Sequence, residues 1–178
     1  HYGAIALAKE PIGEVLEKLA YSHQVGLENG DIEMGFLGLH MWRVYSFQAG
    51  YSLIDLAPKT KRALEQMQAK NQILWYEMTH VCYEALLVLM GRDGDPAVIY
   101  GCLMNLETRS EKLEEMLKTA DLEVDMFMCL AATNRMVIAY HSGEFELALE
   151  MAKRSRNSRG ILGSSMCTPY QACYDALT

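Results

Sequence analysis

Proline is scarce in this sequence, with four residues among 178, and apolar and polar residues nowhere alternate for long enough to make a convincing strand. Scarce proline leaves long segments able to form helix, because proline removes a backbone hydrogen bond wherever it lies inside one. Without a period of two there is no support for a sheet. These two absences predict an all-α fold.

Long hydrophobic runs and a basic charge excess are also missing. The longest apolar run, residues 85–90, is far shorter than the roughly 18 residues that cross a bilayer. The net charge of −7 argues against nucleic-acid binding. The five cysteines include no CxxC pair, which is typical of reduced thiols in an intracellular protein. We therefore expect a cytoplasmic protein with neither membrane nor nucleic acid as a partner.

Metal-ligating and catalytic spacings are absent as well. His80 and Cys82 are two residues apart, so on a helix they point about 200° away from each other and do not share an ion. His23 and His40 lie on apolar helical stripes, where a buried and hydrogen-bonded histidine is the usual structure. We predict no catalytic residue, no cofactor and no metal.

Two glycine-containing segments look like ligand loops but lack the required residues. Residues 93–95 begin like a calcium loop, and the apolar segment after them supplies none of the later ligands. Residues 160–165 are loosely similar to a phosphate-binding loop but lack its lysine and a preceding strand. Both segments are predicted to be connections between helices.

Helix-breaking residues recur about every twenty residues, and this rhythm predicts the architecture. Two such helices make a hairpin, and a period near forty is typical of stacked antiparallel helical hairpins in a TPR-like α-solenoid. We predict a single helical-repeat segment over residues 1–178, with an irregular insertion at about 91–107. The breaks are Gly30-Asp31, Gly50, Asn71, residues 91–96, Asp121, Ser142-Gly143 and Gly160.

Three features of the predicted helices affect their packing. Gly35 and Gly38 lower the stability of their helix and permit a close approach by a neighbour. Pro58 is awkward inside the third helix, so either a short turn precedes it and the main helix begins there, or the helix kinks. We favour the first alternative. The apolar run over 124–132 predicts a central, buried helix.

One basic cluster stands out, formed by Lys153, Arg154, Arg156 and Arg159. Cations at the end of a helix complement its dipole, so a solvated helix end explains them. A contact with an anion or an acidic peptide on the groove of a repeat is the alternative. The sequence also begins with His1 in place of methionine and stops within a helical pattern, so we expect a segment of a longer protein.

The chain resembles a known helical region, and the resemblance covers nearly its whole length. Residues 143–148 resemble the turn and second-helix opening of a tetratricopeptide unit. The larger similarity is to the region that follows the AAA-type ATPase module of large hybrid serine/threonine and histidine kinases. The residues in matching order are Lys9-Glu10-Pro11, residues 26–33, Ala139-Tyr140, Gly143, Pro169-Tyr170 and residues 174–177.

The resemblance implies a non-catalytic scaffold between an ATPase switch and downstream output modules. Such a segment would bind neighbouring domains of the same chain or segments of other proteins. A free-standing TPR-like adaptor that binds peptides is an alternative, and an enzyme fragment with an unrecognised site is a third.

Overall fold

The computed structural model describes residues 10–91, 114–116, 118, 124–156, 172–174 and 176–177. Within these ranges the chain is helical apart from short connections, and none of it is strand, which confirms the all-α prediction. None of the helices described is both long and apolar enough to cross a membrane. The long helices are α1 (Ile12–Glu28), α2 (Ile32–Gln48), α3 (Leu53–Ala69), α4 (Ile73–Leu89), α5 (Val124–His141) and α6 (Phe145–Arg156).

Consecutive helices form antiparallel hairpins, as the rhythm of breaks predicted. Helix α1 packs against α2, α2 against α3, and α5 against α6. The connections within these pairs are only a few residues long, so the chain reverses its direction between one helix and the next. The closer likeness to tetratricopeptide repeats stays a prediction.

Each break within the described residues contains a residue in the left-handed conformation. The residues with positive φ, from 54° to 80°, are Gly30, Gly50, Asn71, Gly91 and Gly143. At the end of α2, Tyr51 N–H donates to the Ser46 carbonyl and Gly50 N–H to the Phe47 carbonyl, both at 3.0 Å. The same two bonds recur after Asn71 and Gly143, and they satisfy carbonyls that a helix end leaves unpaired. Each of these three breaks is therefore a closed helix end.

Three glycines allow α1 and α2 to come very close together. A Cβ added at Gly26 would lie 2.6 Å from Cα of Gly35, and one at Gly35 would lie 3.2 Å from the His23 carbonyl oxygen. The ring of His23 uses this proximity, because its Nδ1 lies 3.0 Å from the Gly35 carbonyl oxygen. The expectation that Gly35 and Gly38 permit close approach is confirmed, and Gly26 supplies the facing surface.

Helix α3 differs from the favoured prediction, which placed the start of the main helix at Pro58. It begins at Leu53 and contains Pro58, because the Leu56 N–H already donates to the Ser52 carbonyl at 2.9 Å and closes a turn. Near a helix start, Pro58 removes one bond, the one to the Ile54 carbonyl. The buried stripe of α3 comprises Leu56, Ala57, Thr60, Ala63, Leu64 and Met67.

The described residues divide into two compact units, one up to Thr79 and one from His80 onward, so the boundary lies inside α4. In the first unit, α1 to α3 and the start of α4 supply the core. Its large apolar members include Leu16, Phe36, Tyr45, Leu56, Met67 and Trp75. The single-segment prediction for 1–178 stays a prediction, and residues 92–107 of the predicted insertion lie outside the described residues.

The second unit is organised around α5. Every residue from 131 to 139 is buried, which confirms the prediction of a central helix. On one side α5 packs against α4, and on the other against α6. The contacting buried residues are Val81 and Ala85 of α4, Ala131, Met136 and Ile138 of α5, and Met151 and Ala152 of α6.

The glycine contact between α1 and α2 predicts a contrast between two substitutions in the same helix. Gly26→Ala places a methyl group against backbone, so we expect a loss of about 2 kcal/mol in the free energy of unfolding. Gly13→Ala meets nothing within 4 Å and should gain about 0.5 kcal/mol through reduced backbone entropy. Urea denaturation of both variants measures this, and equal stabilities would contradict the close packing.

Candidate functional site

The predicted basic cluster lies in the last turn of α6. Lys153, Arg154 and Arg156 are there and are exposed, and Arg159 lies outside the described residues. Arg154 Nη2 donates to Glu150 Oε1 at 2.7 Å, and both side chains are more than half exposed. Exposed i,i+4 pairs contribute little energy and are typical of a solvated helix end. This geometry favours the solvated-end interpretation, and an anion contact there stays a prediction.

The residues that resembled metal ligands have other partners. His80 Nδ1 lies 3.4 Å from Glu84 Oε1, and Asn134 Nδ2 lies 3.6 Å from Cys82 Sγ. In the part of the chain that the structure describes, no three His, Cys, Asp or Glu residues are grouped so that they could hold a metal ion. The loop-like segments 93–95 and 160–165 lie outside that part.

A groove of about 430 Å³ lies beside the connection from α2 to α3, within the first unit. We call it the Trp42 groove. Trp42 comes from the second half of α2, the closed turn at Gly50 leads into the next lining residues, and the first half of α3 completes the wall. Its lining residues are Trp42, Tyr51, Ser52, Ile54, Asp55, Leu56, Pro58, Lys59 and Arg62.

Large apolar side chains are exposed at the edge of this groove. Tyr51 is 44% exposed and Ile54 is 71% exposed, and they are only three residues apart. Pro58 has no N–H, so it cannot donate to the Ile54 carbonyl as an ordinary helical residue would. The groove thus offers exposed apolar surface next to its charged lining residues. Neighbouring exposed apolar side chains of this kind mark interaction surfaces.

Cationic side chains converge on the indole of Trp42. Arg43 Cζ lies 4.4 Å from the ring centre and Lys59 Nζ lies 5.7 Å from it. The spacing of Lys59 from Asp55 would allow a favourable i,i+4 ion pair, yet the ammonium group faces the indole. Within the described residues, neither Lys59 nor Arg62 forms an ion pair with a carboxylate.

A row of buried polar side chains runs along α2 behind the groove. His40, Arg43 and Ser46 follow at three-residue spacing, and all three are buried. Among the described residues, no hydrogen-bond partner reaches His40 Nε2, Arg43 Nε, Arg43 Nη1 or Ser46 Oγ. The other nitrogen of His40, Nδ1, lies 3.0 Å from Thr79 Oγ1, so its prediction as a buried, hydrogen-bonded histidine is confirmed.

Burial changes the protonation chemistry of this row. Desolvation lowers the pKa of His40 to about 4, since a charged imidazole would lie beside Trp75 with no solvent. Desolvation also lowers the pKa of Arg43 to about 10. At neutral pH His40 is therefore uncharged, and Arg43 keeps its positive charge over the indole of Trp42.

The Trp42 groove was not predicted from the sequence. Signals for it existed, in the Trp42-Arg43 pair and in the three-residue spacing of Lys59 and Arg62 on one helix face. These signals lie on different helices, and only the packing of α2 against α3 brings them to one place.

The lowered pKa of His40 predicts a specific dependence of stability on pH. The folded pKa of about 4 lies below the unfolded value of 6.5, so the unfolded state binds the proton first as pH falls. The contribution of His40 to the free energy of unfolding is complete above pH 6.5. It decreases between pH 6.5 and 4 and is constant at lower pH. The total decrease is about 3 kcal/mol, at about 1.4 kcal/mol per unit of pKa shift.

The measurement compares wild type with His40→Gln, whose amide can still reach Thr79. Carboxylates titrate in both proteins, so the difference between the two free energies of unfolding isolates the histidine. We expect this difference to be constant between pH 7.5 and 8.5. As pH approaches 4, the wild type should lose more stability than the variant. A difference that stays constant down to pH 4 would show that the imidazole is not held neutral by burial.

Comparisons with protein-family models, with curated proteins and with solved structures found no match for this chain. The described geometry of the Trp42 groove is therefore the main basis for a functional conclusion.

Proposed function

We propose that this chain is a non-catalytic helical scaffold that binds an extended segment of a protein in the Trp42 groove. The segment belongs to a partner protein or to a neighbouring domain of the same chain. The observation that carries the proposal is the groove itself, in which exposed Tyr51 and Ile54 flank the indole of Trp42.

Apolar burial supplies the attraction for such a segment. An isoleucine or a tyrosine side chain that passes from water into an interface contributes about 1.5 to 3 kcal/mol when it is fully covered. Ile54 and Tyr51 now keep much of their surface in water, so that free energy is still available for binding.

The walls of the groove are held in place before binding. Tyr51 follows the hydrogen-bonded turn that closes α2, and Leu56, which lines the groove, is 1% exposed and anchored in the core. A site on such fixed helix ends loses little conformational entropy when it binds, so more of the contact energy appears as affinity.

The biological setting follows from the resemblance alone. We propose that the scaffold belongs to a large signalling ATPase or kinase and links its ATPase module to output modules. A free-standing adaptor would use the same groove, so the alternatives differ in the source of the bound segment. No observation on the described residues favours a catalytic fragment.

The proposal is tested with a random peptide library selected on the immobilised wild-type chain, followed by affinity measurement of the selected peptides. We expect the double variant Tyr51→Ser, Ile54→Ser to bind these peptides at least about tenfold more weakly than wild type, because it removes the apolar edge of the groove. Neither side chain belongs to the buried core, so the fold should survive, which circular dichroism checks.

Ile73→Ser is the matched control. Ile73 is also an isoleucine in the first turn of its helix and is 52% exposed, but it does not line the Trp42 groove. The proposal requires that Ile73→Ser leaves the affinity unchanged. It fails if no peptide is selected, or if the peptides respond to Ile73→Ser and ignore the groove variant.

A further inference from the structure

We infer that the Trp42 groove selects an acidic segment and holds an aspartate or glutamate carboxylate of that segment with Lys59 and Arg62 beside Trp42. This inference rests on the proposed function, because it names the chemistry of the segment that the groove binds.

The charges of the groove oppose the charge of the whole chain. The chain carries a net charge of −7, yet the groove is lined by two cations and one carboxylate, with Arg43 next to the same indole. Some other cations of the described residues lie in exposed pairs, such as Lys18 with Glu10 and Arg154 with Glu150. The local excess of positive charge is complementary to an anion and opposes a basic segment.

The orientation of Lys59 strengthens this conclusion. Asp55 is available one turn earlier on the same helix, but the Lys59 ammonium lies over the indole that lines the groove. Arg62 is three residues further along α3 and therefore lies on the same face. Two cationic donors on one face of α3, next to an apolar wall, match a carboxylate that arrives with apolar neighbours.

Arg43 adds a positive charge that no carboxylate among the described residues pairs with. It is 8% exposed, and among the described residues Nε and Nη1 have no hydrogen-bond partner. A buried charge without a counter-ion costs several kcal/mol of stability, and an anion that docks nearby recovers part of that cost. Beside the indole, the attraction between this guanidinium and a docked carboxylate is stronger than it would be in water, because the surroundings are less polar.

Asp55 lines the same groove and opposes any anion, whereas Lys59 and Arg62 attract a dianionic phosphoryl group more strongly than a monoanionic carboxylate. Charge alone therefore does not separate the two ligands. We commit to aspartate and glutamate side chains, because a protein segment carries them without prior modification, and the phosphoserine comparison below tests this choice.

The first test uses peptides selected on the wild-type chain as described above, each synthesised with its acidic residues and with Gln or Asn in their place. We expect enrichment of Asp and Glu, at least tenfold weaker binding of the amide versions, and weaker binding as salt is raised. The double variant Lys59→Glu, Arg62→Glu should lose the acidic peptides and should bind versions with Lys in place of Glu.

The controls separate this inference from the proposed function. The charge-reversed pair Lys153→Glu, Arg154→Glu on α6 should leave the acidic peptides unaffected. Peptides that depend on Tyr51 and Ile54 but bind equally well as amides would overturn the acidic selection and leave the scaffold function standing. Acidic peptides that respond only to the α6 variant would overturn both.

A second test concerns Arg43. We expect Arg43→Met to lower affinity for acidic peptides severalfold while the protein stays as stable as wild type or becomes more stable, because an uncompensated buried charge is removed. An arginine with a purely structural role would give the reverse pattern, lower stability and unchanged affinity, and that result would overturn the charge argument.

Other occupants of the groove give distinct results. A phosphoserine peptide that binds more than tenfold tighter than its glutamate version would overturn the choice of carboxylate. Self-association of the chain in analytical ultracentrifugation, abolished by Ile54→Ser and not by Ile73→Ser, would show that a second copy covers the groove and would also overturn the inference.

Discussion

The Trp42 groove depends on one local constraint, the left-handed conformation at Gly50. A residue with a side chain would be strained at this φ of 76°, and glycine adopts it without cost. Two hydrogen bonds then close the end of α2, and the chain enters α3 within a few residues. Because α3 returns at once along α2, Lys59 reaches the indole of Trp42. The same closure after Asn71 and Gly143 shapes both units.

Helix α2 combines close packing against α1 with the burial of polar side chains, which costs free energy. Toward α1, Gly35 removes every side-chain obstacle and lets the backbones approach. Elsewhere on α2, His40 and Arg43 are buried with polar atoms that no described residue satisfies. Folding alone gains nothing from such atoms, whereas binding surfaces commonly retain polar groups at a cost to stability. Of the two, Arg43 lies over the indole of Trp42, and this position supports the proposed site.

The hairpin architecture could be predicted because its signals are local. Gly30, Gly50 and Asn71 mark helix ends through their own backbone preferences, and Asp31 caps α2 by accepting a bond from the Met34 N–H. The error at Pro58 has a physical reason, since the Ser52 carbonyl starts the helix early enough for proline to cost a single bond. An anion contact at the basic cluster on α6 and the resemblance to signalling ATPases and kinases stay predictions, because no described contact tests them.

The sequence by itself determined the all-α class, the helix ends and the burial of His40, because capping, φ preference and hydrophobic period act over a few residues. Tertiary structure alone decided that Gly26 faces Gly35, and that Lys59 lies over the indole of Trp42. The members of each pair lie on different helices, and only the packing of α2 against its two neighbours sets which faces meet. The candidate site is a product of that packing, so the local signals at Trp42-Arg43 and at Lys59 and Arg62 could not by themselves place these residues together.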